Sequence, residues 1–157
     1  MSTKNDITVI IPVFKADETL LNDAIASINN QVVKPDNVML VVGEDATLVE
    51  GLVETFNELN IEIVSHKEST DFATQLNIGV KSCKTKWFVF LEQDDELGDK
   101  WVSNVVKYRE VYPDVQIFLP MILDVSEEGK FLGFTNEAVW ASQFSDEMGV
   151  LDNAALL

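Results

Sequence analysis

The chain is short of basic residues, of cysteine and of long apolar runs, and each shortage removes a class of function. Only 11 Lys and Arg stand against 27 Asp and Glu, for a formal net charge of −16. A duplex binder needs a basic surface to release counterions from phosphates, so no nucleic-acid partner is expected. An anionic membrane surface is disfavoured for the same reason. One cysteine, Cys83, rules out an internal disulfide and cannot alone make a Cys-based zinc site. The apolar stretches are strand-sized, far below the ~20 residues of a membrane span, so no transmembrane segment is expected. Nothing after Met1 has the pattern of a signal peptide, and the expected location is cytoplasmic. No Gly-x-Gly-x-x-Gly follows the first apolar run and no Gly-Lys-Ser/Thr occurs, which sets aside dinucleotide-binding enzymes and Walker-type phosphate loops. A receiver-like domain would need its acid pair after the first strand, whereas the acidic cluster here follows the fourth.

What is present is 157 residues, 46% of them hydrophobic, which suits one domain with a proper core. Residues 7–13, Ile-Thr-Val-Ile-Ile-Pro-Val, predict a buried parallel strand. Asp17 can cap a helix with Leu20, Leu21, Ala24, Ile25 and Ile28 at helical spacing. Residues 37–42 predict a second strand. Leu48, Leu52, Phe56 and Leu59 predict a helix over 47–59, and Ile61–Ser65 a third strand. Asp71 can cap a helix with Phe72, Leu76, Ile78 and Val80 as its apolar residues. Residues 87–91 predict the fourth strand. Asp99 is the expected N-cap of a helix carrying Trp101, Val102, Val105, Val106 and Tyr108 and stopped by Pro113. Val115–Leu123 reads as a strand, and 127–130 as a turn into a short strand at 131–134, making a hairpin. Residues 135–157 are weakly patterned.

This alternation predicts an α/β fold: a doubly wound, mostly parallel sheet with right-handed crossovers, helices on both faces and a C-terminal hairpin. Ligands in such sheets sit outside the carboxyl ends of the strands, which picks out Pro12–Lys15, Gly43–Thr47, Ser65–Lys67 and Glu92–Glu96. The last of these, Glu-Gln-Asp-Asp-Glu, is the strongest chemical signal. Crowded carboxylates at one strand end repel unless a cation or solvent offsets them. Mg²⁺ or Mn²⁺ suits oxygen ligands, often one or two carboxylates completed by substrate phosphates. The plain alternative is a solvated acidic loop before a helix, where acids also favour the helix dipole.

Four ordered stretches resemble inverting family 2 glycosyltransferases of the GT-A fold. Ile7–Phe14 resembles the family's Ile-Pro-Val-Tyr-Asn opening, and Ser27-Ile28-Asn29-Asn30-Gln31 its Ser-Ile-x-x-Gln. Gln75-Leu76-Asn77-Ile78-Gly79 resembles Ala-Arg-Asn-x-Gly. Phe88–Leu97 resembles Phe-Leu-Asp-x-Asp-Asp-x-Leu, the metal-binding DxD element. The resemblance, over residues 7–106, implies a nucleotide-diphosphate sugar donor, probed first as a UDP-sugar, and a saccharide or other hydroxyl acceptor. It implies Mn²⁺ or Mg²⁺ on Asp94, with Glu92 on the ribose or the ion's water shell and Asp95 orienting the site. Phe14 stands where a family aromatic stacks on the base, beside Pro12 and Val13, with Gln93 inside the acidic element; core packing is the alternative for Phe14.

The sequence also departs from the family. Where an Asp-Asp pair usually reads the base, it has Gly43-Glu44-Asp45, leaving Glu44 or Asp45 as substitutes. The family Arg is Gln75, which removes a cation that could face phosphate. DxD has become Glu-x-Asp. The resemblance implies that residues 1–157 form a single nucleotide-sugar-binding domain without the usual C-terminal acceptor region, which holds the catalytic base. Asp146 and Glu147 are the available carboxylates, against the alternative of a surface loop. Lys15 is the cation nearest the first-strand loop and a candidate for phosphate contact. His66 lies at the predicted ligand edge, either on a phosphate or ribose or as a plain loop residue. Cys83 lacks an activating partner and is expected to pack or lie inert. Trp87, Trp101 and Trp140 read as core or helix-face aromatics, Trp140 with the option of lining an acceptor cleft. Two rival readings stand beside transfer: a nucleotide- or metal-binding module without transferase activity, and a structural acidic domain.

Overall fold

The structure is a computed structural model and describes residues 5–43, 46–67, 71–119 and 122–135, with the side chains of 46–48 and 135 left aside. The chain divides after Pro113 into two compact units. In the first, β1 (Ile7–Val13), β2 (Asn37–Val42), β3 (Ile61–Ser65) and β4 (Trp87–Phe90) alternate with α1 (Glu18–Asn29), α2 (Ala46–Val53), α3 (Phe72–Ser82) and α4 (Trp101–Val111). The strands form one parallel sheet in the order β3-β2-β1-β4. The expected doubly wound α/β fold is therefore present.

Alternation along the strands sorts the core into two layers. Val9, Ile11 and Val13 of β1 and Val38, Leu40 and Val42 of β2 face Leu21, Ala24, Ile25 and Ile28 of α1 and Val49 and Leu52 of α2. Ile10, Met39 and Val41 point the other way and meet Ile78 of α3 and Cys83. Both faces of β1 and β2 are covered, which is why their sequences are continuous apolar runs rather than alternating ones. Asp17 caps α1 as expected, accepting from the N–H groups of Thr19 and Leu20 at 3.0 and 3.1 Å. Asp71 caps α3 through Thr74 N at 2.9 Å.

Several expected boundaries are corrected. The 47–59 helix stops at Val53, because the Thr55 hydroxyl takes the Leu52 carbonyl at 2.8 Å and the chain continues in three-residue turns. Phe56 and Leu59 still pack on the core, so the apolar spacing was real without being helical. On α3, Phe72 and Val80 are exposed, while Gln75 and Gly79 are buried. Asp99 does not cap α4: the helix begins after Lys100 with no side-chain bond from that residue. Instead Gln31, at the end of α1, reaches across and accepts from Val102 N at 3.0 Å. The fourth strand ends at Phe90, although Leu91 N still donates to Ile10 O at 3.0 Å.

The second unit contains an antiparallel hairpin, β5 (Ile122–Val125) with β6 (Phe131–Thr135), turning through Gly129 at φ 74°. The expected strand from Val115 thus forms only from Ile122 and pairs within this hairpin. Among the described residues no helix is long and apolar enough to cross a membrane.

Gly79 explains how closely α3 sits on the sheet. A Cβ there would stand 2.6 Å from Ile10 Cγ2 and 3.2 Å from Val41 Cγ2, both on fully buried side chains. Gly79→Ala is therefore expected to destabilise the fold by about 1–3 kcal/mol, the usual cost of overpacking. Urea unfolding checks this; an unchanged midpoint would show that α3 can move outward freely.

Candidate functional site

The sheet order decides where a ligand can sit. From β1 the chain crosses by α1 to β2 on one side, and it returns by α3 on the other face to β4 on the opposite side of β1. β1 is therefore the strand at which the strand order reverses, and a crevice lies at the carboxyl ends of β1 and β4. Pro12 fits this position. Ile10 directs its carbonyl to Leu91 of β4, so Pro12, two residues on, directs its backbone to the same side, past the last β4 pairing. Its missing N–H leaves no donor orphaned there.

A cavity of about 270 Å³ lies in this crevice, lined by Pro12, Phe14, Asp71, Phe72, Glu92, Gln93 and Asp94. Five of the residues singled out in the sequence thus share one cavity. Val13 is buried beneath it at 2% exposure, and Asp95 is an exposed neighbour on the same turn, its N–H donating to Glu92 O at 3.2 Å. Phe14 does not pack in the core: it is 44% exposed, and Phe72, 46% exposed, offers a second open ring. Asp71 and Phe72 were read only as a helix start. The signal that would have added them is topological, since α3 crosses the face that leads back to β4. Glu44, Asp45, Asp146, Glu147 and Trp140 lie outside the described residues.

Two glutamine amides set the shape of the loop after β1. Gln75, fully buried, donates from Nε2 to Val13 O at 2.8 Å, and Gln93 donates from Nε2 to Phe14 O at 2.8 Å. The next residue, Lys15, takes the left-handed conformation at φ 50°, uncommon for a side-chain-bearing residue. Its Nζ stands 5.5 Å from the centre of the Phe14 ring.

The far end of the acidic loop is tied down by α1. Ser27 Oγ accepts from Leu97 N at 3.0 Å, and Gln31 Nε2 donates to Gly98 O at 2.7 Å while its Oε1 caps α4. Residues 92–96 are therefore held at both ends, by β4 and by the Ser27/Gln31 pair. Within the loop, burial first, then the charges of Asp95 and Asp94, hold the Glu92 carboxyl above its ordinary value. Asp95 is raised by burial and then by Asp94. These directions are those of carboxylates crowded without a counter-charge.

Whether this donor set fits a divalent ion can be judged from its chemistry. Among the described residues no group of three or more His, Cys, Asp or Glu side chains converges to cage a metal. One or two carboxylates completed by phosphate oxygens is what a hard ion such as Mg²⁺ often takes, and Glu92, Asp94 and Asp95 fit that pattern. His66 lies at the end of β3, its N–H bonded to Val42 O at 3.1 Å, and it does not line the cavity. Both its ring nitrogens are buried without a hydrogen-bond partner among the described residues. Cys83 ends α3, half-buried against Thr85 Oγ1 at 3.3 Å. Trp87 is half-buried beneath the Arg109 guanidinium, 5.6 Å from its ring centre, and Trp101 is half-buried on α4.

A parallel sheet wound this way, with an acidic turn after its edge strand at the switch point, is the architecture of the GT-A glycosyltransferases. TarS of S. aureus, in a crystal structure with UDP, superposes with a TM-score of 0.60 at 17% identity, over 71% of this chain and 33% of that one. The mannosyltransferase PcManGT of Pyrobaculum calidifontis, solved with GDP-Man and Mn²⁺, gives 0.58 at 18% identity, over 74% and 35%. The profile described as Glycosyl transferase family 2 matches residues 8–145, and the chain belongs to that family. An uncharacterised glycosyltransferase of Haemophilus influenzae is 26% identical over 106 residues, 66% of this chain and 32% of that protein. The chain spans about a third of the length of these relatives.

The Gln31 contacts make a direct prediction. Gln31→Leu keeps the volume roughly but leaves Gly98 O and the buried Val102 N without their partner, and should cost about 1–3 kcal/mol. Denaturant unfolding measures it. A loss no larger than that of an exposed surface substitution would mean water or a neighbouring group replaces the amide.

Proposed function

We propose that residues 1–157 form the donor-binding part of a metal-dependent glycosyltransferase. The donor is a nucleotide-diphosphate sugar, a UDP-sugar in the first instance, and the sugar passes with inversion to the hydroxyl of a saccharide or other acceptor. The observation that carries this is the single cavity in which the open Phe14 ring meets Glu92 and Asp94 at the carboxyl ends of β1 and β4. The UDP complex of TarS and the GDP-Man and Mn²⁺ complex of PcManGT support it.

In this reading Phe14, with the main chain of Pro12 and Val13, meets the base, and Glu44 or Asp45 reads its edge. Gln93 fixes the Phe14 carbonyl and so holds the aromatic platform against the acidic turn. Asp94, with Glu92 and Asp95, holds Mn²⁺ or Mg²⁺. When bound, the ion supplies the positive charge that stabilises the departing diphosphate. An inverting transfer also needs a carboxylate to take the proton from the acceptor hydroxyl as it attacks, and Asp146 and Glu147 are the candidates. A second reading, nucleotide and metal binding without transfer, draws on Gln75. The family's arginine is absent there, and the amide is turned inward onto Val13 O.

Calorimetry with UDP and GDP, each with and without Mn²⁺, tests the proposal. Asp94→Ala should lose the Mn²⁺-dependent part of nucleotide affinity while keeping the fold, since Asp94 is exposed on its turn. Unchanged Mn²⁺-assisted binding by this variant would refute the metal assignment. Failure of the unaltered protein to bind either nucleotide with Mn²⁺ would refute the donor-binding reading itself.

A further inference from the structure

The lining of the crevice has a charge problem that the acidic turn alone does not solve. Asp71, Glu92 and Asp94 face the cavity, and among the described residues no lysine or arginine lines it. A diphosphate entering it meets carboxylates on both walls. At the position where the family resemblance places an arginine, this chain has Gln75, buried and committed to Val13 O. The cation that could face phosphate has been lost from α3.

A cation stands instead on the loop after β1, next to the cavity-lining Phe14. Gln75 and Gln93, from α3 and from the acidic turn, hold the consecutive carbonyls of Val13 and Phe14, each at 2.8 Å. Two fixed carbonyls in succession determine the path of the chain into Lys15, whose φ of 50° carries it out of the strand. Such strain persists where the surroundings over-determine it, which the two amides do. The exposed Lys15 ammonium then lies over Phe14, itself a wall of the cavity. Among the described residues its charge has no carboxylate partner, the ion pairs being Lys34–Glu58 and Lys84–Glu62.

From this arrangement we infer that Lys15 is the phosphate-binding cation of the crevice, presented by the Gln75/Gln93 pair in place of the arginine that α3 lacks. The ligand chemistry is the diphosphate of a nucleoside diphosphate, so the inference rests on the proposed donor-binding reading. Lys15 acts on the phosphates and not on the base, which separates it from the stacking role of Phe14. An ammonium over an aromatic face keeps its charge available to a second, anionic partner, because cation–π attraction leaves its N–H donors unfilled.

The test compares the unaltered protein with Lys15→Met and Lys15→Arg, titrated with UDP plus Mn²⁺ and with uridine, which lacks the phosphates. GDP and guanosine form the parallel pair. Lys15→Met should weaken diphosphate binding by about tenfold, as loss of a charge-assisted hydrogen bond does, with nucleoside affinity and melting temperature unchanged. Lys15→Arg should keep most of the affinity. Equal diphosphate affinity in Lys15→Met overturns the inference. So does an equal loss for diphosphate and nucleoside, which would assign Lys15 to the base through Phe14. If the unaltered protein binds neither UDP nor GDP, the donor-binding reading fails, an outcome distinct from a lysine that proves silent.

Discussion

β1 is hydrogen-bonded along both edges and buried on both faces, and the remaining elements of the first unit are arranged around that constraint. A strand so placed must be almost wholly apolar, with its buried Thr8 hydroxyl paired to Thr85 at 2.7 Å, and must have helices above and below it. With right-handed crossovers, α1 and α2 go to one face while the return through α3 takes the other. The reversal of strand order at β1 is then unavoidable. A crevice is built into the topology before any side chain is chosen, and Pro12 stands at the point where the β4 pairing has ended.

Seen this way, much of what looks like a catalytic signature is architecture. Ser27 and Gln31 never approach the cavity; they hold Leu97 and Gly98 and start α4, and so fix the far end of the acidic turn. Gly79 lets α3 lie against Ile10 and Val41, which brings Asp71 and Phe72 to the crevice. Gln75 spends its amide on the carbonyl of Val13. Under the proposed function the chemistry is left to a few exposed groups: two aromatic rings, the carboxylates of the acidic turn and one lysine. Rigid buried contacts position them, as a site needing accurate placement requires.

The strands were legible because continuous β-branched apolar runs report directly on a sheet covered on both faces. The residue ranges of β1, β2 and β3 followed from composition alone. Helix ends were less legible because they depend on long-range partners. The α4 cap comes from Gln31, 71 residues away in sequence from Val102, whereas the local candidate Asp99 makes no such bond. The acidic turn was visible as a charge run after an apolar strand. Asp71 and Phe72 were not, since nothing local distinguishes a helix start that faces a crevice from one that faces solvent. The left-handed Lys15 was equally hidden, being imposed by amides from two distant elements.

The charge of the chain also bears on how its site can work. At a net charge of −16, with Glu92 and Asp95 already raised by burial and by one another's neighbours, the empty crevice is a poor host for any anion. It is an incomplete host for a cation as well, since no three ligating side chains converge among the described residues. Under the proposed function each ligand supplies what the other lacks: phosphate oxygens complete the ion's shell, and the ion offsets the carboxylates. Binding free energies are reciprocal, so the factor by which metal tightens nucleotide must equal the factor by which nucleotide tightens metal. An acidic crevice of this kind is therefore a device for coupling two ligands. On the inference drawn for Lys15, a cation fixed to the protein would offset part of the carboxylate charge for the phosphates without removing the need for the ion.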